Sequence, residues 1–367
     1  MERPLRPRLA EIDEEGLERD PAMTQHTRPA TPVDIPRLVP LLLQDAEERH
    51  ALDPVLWRIA ADAPARIEEA LRFALTAEDQ PVRQFWLVGE SDGALTGVIH
   101  AMLLPVPPIY AGAFGPPGLI LADSQTAADA PAGTVDALVA AAEEAMRAAG
   151  AELLLSSFVT GATWQTAFAA RGYDPLTLYL SRTDLGEDGR PSGVRAATED
   201  DVPGIVIRSA ENRQVLSGID AFWEPHPEAD ARFAAWMTRS LTLRDREMLV
   251  AGDPDRLEGY VIAQPASRMH FPPAHDIRGT GVVDDYFHPD FGAPAMLAEG
   301  GAGATALLRA AEAAFAARGM GAAFVVCPAG WTSKLEMLEA AGYDVAMVWS
   351  IKRQAGAERA PCGRQSS

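Results

Sequence analysis

Apolar positions along the chain switch repeatedly between helical spacing and short continuous runs. Helical patterns fall near 33–45, 64–77, 134–149 and 163–171. Between them lie strand-like runs at 85–89 ("FWLVG"), 94–104 ("ALTGVIHAMLL"), 117–123, 152–158 and 173–182. A similar order follows further along. A strand near 194–197 leads into a helix from about 200, and a second helix covers 227–243. Strands at 247–252 ("EMLVAG") and 258–264 are separated by the turn "DPDRL", and "GTGVVDDYF" (279–287) supplies another. A helix over 302–318, a strand at 322–327 and a short helix at 332–341 follow, the last ended by Gly342 as its C′ residue. "YDVAMVWSIKR" then closes the domain as a strand. Strands paired first as hairpins and then separated by helices imply a mixed α/β sheet partly covered on both faces.

The chain repeats its landmarks. "RPATPVDIP" (28–36) returns as "RAATEDDVP" (195–203), at an offset of 167 residues. Asp34 and either Asp200 or Asp201 suit a helix cap or first turn there. "AARGYD" (169–174) returns as "EAAGYD" (339–344) at 170, and "AAEEAMRAAGAELLLSSF" (141–158) parallels "AAEAAFAARGMGAAFVVC" (310–327) at 169. Three landmarks at nearly one spacing indicate two copies of one domain. The divisions are a flexible N-terminal tail 1–24, a first copy 25–185, a linker 186–191, a second copy 192–353 and a flexible C-terminal tail 354–367.

Composition narrows the chemistry. With 47% hydrophobic residues in 367, the chain is globular and long enough for two cores. Its formal charge of -20 disfavours nucleic acid and anionic membranes as partners and tolerates a cationic substrate. Two cysteines and seven histidines form no metal-ligand spacing, so no metal is expected. Cys327 reads as a buried small hydrophobe. No signal peptide and no run of 18 apolar residues is found, which makes a cytoplasmic location the expectation.

The stretch "AEGGAGATALLRAAEAAFAARG" (298–319) puts glycines directly before an amphipathic helix, where backbone N–H groups and the helix dipole suit a phosphate. With the strand before it and the duplicated αβ order, this resembles the GCN5-related N-acetyltransferase (GNAT) superfamily in its tandem form. The resemblance implies two acyl-CoA N-acyltransferase domains, each a mixed, mostly antiparallel sheet flanked by helices. It also implies acetyl-CoA, or another short acyl-CoA, as co-substrate. The family loop Q/R-x-x-G-x-G/A falls on Glu299, Gly300, Gly301, Ala302, Gly303 and Ala304, with Glu299 and Ala302 departing from it. Gly301, Ala302, Gly303, Ala304 and Thr305 are accordingly the expected diphosphate cradle. Val283, Asp284 and Tyr286 are the expected backbone contacts for the pantetheine arm.

For acyl transfer to a primary amine, Asp285 is the first candidate base and His288 a competing one, since the ammonium must lose a proton before it attacks a thioester. The family's proton-donating tyrosine is replaced by Leu338 in the second copy and Phe168 in the first, leaving Ser333 as a candidate substitute. Glu211, Trp223 and Glu224 are expected to hold the amine. In the first copy the loop reads Ala130, Pro131, Ala132, Gly133, Thr134, Val135, which suggests a degenerate half and a working site in 192–353. The expected partner is a small-molecule amine, with the chain a monomer or homodimer. The competing expectation is a non-catalytic acyl-CoA-binding or structural protein of the same fold.

Overall fold

The first repeated landmark is a helix cap. Asp34 accepts two bonds from the Arg28 guanidinium, at 2.8 Å each, and is bonded by the Thr31 N–H at 2.8 Å. Asp201 does the same with Arg195 at 2.7 and 2.6 Å and with the Thr198 N–H at 2.8 Å. Both aspartates are buried, and the guanidinium bond holds each carboxyl well below its ordinary pKa. Each cap joins an edge strand to a long helix, and from each the same sequence of elements unrolls.

The computed structural model describes residues 25–106, 109–110, 115–161, 163–185, 189–292 and 302–353. The first half contains β1 (Gln25–Pro29), α1 (Ile35–Leu52), α2 (Ala63–Thr76), β2 (Gln84–Ser91), β3 (Ala94–Leu103), β4 (Gly118–Ile120) and β5 (Gln125–Thr126). It continues with α3 (Thr134–Ala148), β6 (Leu154–Val159), α4 (Thr163–Ala170) and β7 (Asp174–Arg182). The second contains β8 (Val194–Ala196), α5 (Val202–Ile219), α6 (Ala229–Ser240), β9 (Glu247–Asp253), β10 (Arg256–Pro265), β11 (Thr280–Val283) and β12 (Tyr286–Phe287). Then come α7 (Ala302–Ala317), β13 (Ala322–Pro328), α8 (Thr332–Ala340) and β14 (Asp344–Lys352). The expected strand 117–123 ends at Ile120, with β5 lying beyond it, and the expected strand 279–287 is broken at 284–285.

All strands join one mixed sheet, in the order β1-β2-β3-β4-β6-β14-β7-β13-β11-β10-β9-β8, with β5 on β3 and β12 on β10. The sequence assigned each closing strand to its own copy, but the structure exchanges them. β14 pairs with β6 of the first half, and β7 pairs with β13 of the second, while β7 and β14 also pair with each other. Strand pairing and sequence order therefore divide the chain differently at β7 and β14.

Buried glutamates pin this exchange. Lys352 at the end of β14 reaches Glu143 on α3 at 2.8 Å, and Arg182 at the end of β7 reaches Glu312 on α7 at 3.3 Å. Both glutamates are nearly inaccessible, at 3% each, and each also holds partners from its own half, Arg147 and Arg171 on Glu143 and Arg309 and Tyr343 on Glu312. The cores merge accordingly. Leu119, Leu155, Leu176 and Leu180 belong to the same apolar cluster as Leu249, Val261, Leu307 and Phe315.

The connections before the breaks also cross between halves. Residues 266–279 run over the first half, where the Ala274 carbonyl accepts the Ala60 N–H at 2.8 Å and Phe271 packs on Trp57. In return Ile109 accepts the His226 N–H at 3.0 Å. His275 on the first of these arms is fully buried, 3.2 Å from the Trp57 carbonyl, and burial, with the Arg49 charge adding, pushes its pKa down to about 3.

Above pH 6.5 His275 is neutral in both folded and unfolded chains, so its contribution to stability is complete. Below that pH the unfolded chain takes up the proton first, and stability falls until about pH 3. At about 1.4 kcal/mol per pH unit, His275 alone should remove roughly 2 kcal/mol between pH 6.5 and 5. Urea midpoints measured at both pH values should converge in a His275→Asn variant, relative to the unsubstituted chain.

Candidate active site

In the first half, β4 runs parallel to β6 as far as Ile120, then the chain leaves β6 and re-forms as β5 on β3. Strand pairing leaves the Ala122 carbonyl free, and the buried Arg49 from α1 donates to it. Between 121–126 and β6 lies a slot of about 230 Å³, walled by Ser157, Thr163, Trp164 and Phe168. The adjoining α3 is preceded by Gly133 in the left-handed region (φ 86°), and its first turn carries Asp136. A Cβ at Gly133 would meet nothing within 4 Å, while the Thr134 N–H is bonded to the Pro131 carbonyl at 3.2 Å.

On the other side of Leu121 and Ala122 is a cavity of about 710 Å³, covered by residues 268–273 of the arm. Its floor carries His100 on β3. The imidazole Nδ1 lies 2.9 and 3.0 Å from the two carboxylate oxygens of Asp123, and Nε2 lies 3.1 Å from Gln84 Oε1. The ring stacks on Trp86 with centroids 3.9 Å apart and planes 15° apart. His100 and Asp123 are both 6% exposed. Burial alone would raise the Asp123 carboxyl, but His100 and Arg49 outweigh it and hold the pKa below its usual value. An imidazole that gains a proton here has an acceptor for each N–H, Asp123 at Nδ1 and Gln84 at Nε2. Such an arrangement suits a general base.

The second half has the same break with different contents. Asp284 and Asp285 occupy it and line a cavity of about 510 Å³ together with Trp223. Desolvation inside the cavity, followed by the neighbouring Asp285 charge, pushes Asp284 up to about 6, and desolvation raises Asp285 as well. Lys334 from α8, itself 3% exposed, fills the space beside β12: its Nζ donates to the Tyr286 carbonyl at 2.9 Å. The ammonium lies 5.0, 5.2 and 5.0 Å from the Tyr286, Phe291 and Trp331 ring centres. At the N-terminus of α7, Asp290 accepts the Ala304 N–H at 3.2 Å. The space that Gly303 leaves open is taken by the His288 ring, which a Cβ there would approach to 2.2 Å.

The residues expected from sequence are thus dispersed. Asp284, Asp285 and Trp223 share one cavity, whereas His288 packs on Gly303 and Ser333 donates to the Phe291 carbonyl at 2.6 Å. Val283 ends β11, buried, and the Tyr286 hydroxyl donates to the Ala304 carbonyl. Thr305 lies in the first turn of α7, and Ala302 is its first residue. Gly301, with Glu299 and Gly300, lies outside the described residues. Glu211 pairs with Arg208 at 2.8 Å, and Glu224 is exposed; neither lines the cavity. Cys327 is buried, with its thiol pushed up to about 12 by burial. Sequence reasoning missed His100, Asp123 and Gln84. The available signal was a lone histidine inside the apolar strand "GVIHAML" and an aspartate in "LADSQ".

Comparison with solved structures supplies the fold's name. A GCN5-related N-acetyltransferase from Sphaerobacter thermophilus superposes with a TM-score of 0.51 at 17% identity, covering 89% of this chain and 95% of that one. The fold is the GNAT fold. A tandem GNAT protein from the clavulanic acid biosynthesis pathway is 15% identical, with 91% and 100% covered and a TM-score of 0.47. PaiA N-acetyltransferase from Thermoplasma acidophilum, solved with coenzyme A, matches 42% of this chain over 91% of its own, at 13% identity and a TM-score of 0.32. No family model and no curated protein matches the chain. Among the described residues, no helix is long and apolar enough to cross a membrane, and no cluster of three or more His, Cys, Asp or Glu side chains forms a metal site.

Proposed function

We propose that the chain is a tandem GNAT protein that transfers an acyl group, acetyl in the simplest case, from acyl-CoA to the primary amine of a small molecule. The reaction is assigned to the first half. The observation that carries this reading is the contrast between the two breaks: the slot beside β5 is unfilled and shares Leu121 and Ala122 as a common wall with the His100 cavity, while Lys334 occupies the space beside β12.

The co-substrate supplies a thioester whose carbonyl carbon accepts the amine. The N-terminus of α3, preceded by Gly133, suits its diphosphate, and the slot between β5 and β6 suits its pantetheine arm. In the cavity, His100 Nε2 takes the proton that the amine sheds as its C–N bond forms, the amine displacing Gln84 from that nitrogen, and Asp123 at Nδ1 stabilises the imidazolium. The C–S bond then breaks with its electron pair going to sulfur. Phe168 lines the slot without a proton to offer, so the thiolate takes its proton from water.

Asp285 and His288 are not placed in this reaction. His288 lies outside the Asp285 cavity. Thiol release monitored with acetyl-CoA and a panel of primary amines tests the function. Amine-dependent release supports it. Saturable acyl-CoA binding without release by any amine favours the non-catalytic reading, and absence of both leaves a structural role.

A further inference from the structure

The second-half cavity remains to be explained once the transfer reaction is assigned to the first. Its walls are aromatic, with Tyr110, Tyr179, Trp223, Phe233, Trp236 and Trp349 all facing it. Into this lining project two carboxyls. Asp285 is bonded by the Tyr260 hydroxyl and, at 3.0 Å, by Asn212 Nδ2, and Asp284 by Gln264 Nε2 at 3.0 Å. All three donors are neutral, and neither aspartate forms an ion pair among the described residues.

Arg213 and Arg232 also line the cavity, and the Arg213 and Lys334 charges act on Asp285, but each of these cations is bonded to other groups. Arg213 is held by Ser209 at 2.6 Å and by Asp230, Arg232 by Glu228 at 2.7 Å, and Lys334 by the Tyr286 carbonyl. Asp284 is nonetheless exposed, and the surface that it exposes belongs to the cavity. An independent sign lies on the same wall. Asn212 is only 7% exposed, and its carboxamide oxygen has no hydrogen-bond partner among the described residues. Two carboxyls that form no ion pair and an acceptor without a donor suit the same thing, a cation bearing N–H groups.

We infer that this cavity binds a hydrophobic organic cation, an ammonium group on an alkyl or aryl body, at a site separate from acyl transfer. The ammonium lies at Asp284, Asp285 and Asn212, and its apolar body packs on the surrounding rings, whose faces also attract positive charge. The inference rests on the proposed function only in separating this site from the reaction. It adds a second ligand site, lined by both halves: Tyr110 and Tyr179 come from the first, Asp285 and Trp236 from the second.

The test uses hexylammonium, with hexanoate as the control of opposite charge, titrated calorimetrically into the full chain without acyl-CoA. Saturable hexylammonium binding is expected, with none for hexanoate. Asp285→Asn should weaken it roughly tenfold or more through loss of a charged partner. Trp236→Ala changes a residue 38% exposed, and so bears little risk to folding; it should weaken binding severalfold. Thr163→Trp, which obstructs the first-half slot, should leave hexylammonium binding intact. Equal binding of hexanoate, or unchanged affinity in both cavity variants, overturns the inference and leaves the transfer reading untouched. Should Thr163→Trp fail to weaken acyl-CoA binding, the transfer assignment falls while the cation site stands on its own titration.

Discussion

Replacing His100 by glutamine is expected to lower kcat for amine acylation by about a hundredfold to ten-thousandfold, the range removed with a positioned general base. Acyl-CoA affinity should change little, because His100 borders the cavity and not the slot. Glutamine keeps a polar group near Asp123 and Gln84 but cannot take up a proton at neutral pH. A drop in kcat with unchanged acyl-CoA affinity in initial-rate and binding measurements supports the role. Asp123→Asn should give a smaller fall in the same direction, since it removes the charge that stabilises the imidazolium while leaving a base in place. Wild-type kcat in His100→Gln would remove His100 from the mechanism.

The second large effect is expected from a pair of matched substitutions on equivalent helices. Thr163 opens α4 and Ser333 lies at the corresponding place on α8, each ten residues before the buried tyrosine of the repeated "GYD". Thr163 is exposed and forms part of the slot wall, so Thr163→Trp should obstruct the slot without disturbing the core. Loss of acyl-CoA affinity by roughly a hundredfold, about 2.7 kcal/mol, is expected in a calorimetric titration. Ser333→Trp should leave affinity within about twofold, because Lys334 and Trp331 already fill the neighbouring space. Thermal unfolding of both variants separates obstruction from misfolding. The opposite ranking would return the working site to the second half.

The α/β order was legible in the sequence because its apolar periods are clean and its landmarks recur. The Arg–Asp caps show why "RPATPVD" and "RAATEDD" had to resemble each other: the arginine, the threonine and the final aspartate form one bonded unit in each. Strand exchange was not legible. β7 and β14 have similar patterns, and periodicity says which face is buried but not which neighbour is paired. The determinants, Glu143 with Lys352 and Glu312 with Arg182, are separated by 209 and 130 residues.

The contrast between the two halves reads differently in the structure than in the sequence, for a related reason. Glycines before α7 suggested an open phosphate cradle, yet the space at Gly303 serves to seat the His288 ring. The first half keeps fewer glycines but has Gly133 before its helix and an unfilled slot. Lys334 gave no warning in sequence, since a lysine on a short helix ordinarily reaches water. Its burial among three rings follows from the fold, as does the meeting of His100 with Asp123 and Gln84 across separate strands and the β4–β5 break.

A crystal structure of the chain grown with acetyl-CoA tests the central claim most directly. The account predicts one molecule per chain, with its diphosphate at the first turn of α3, its pantetheine between β5 and β6, and its thioester directed past Ala122 toward His100. Density at the first turn of α7 instead, with Lys334 and His288 displaced from Tyr286 and Gly303, would contradict it.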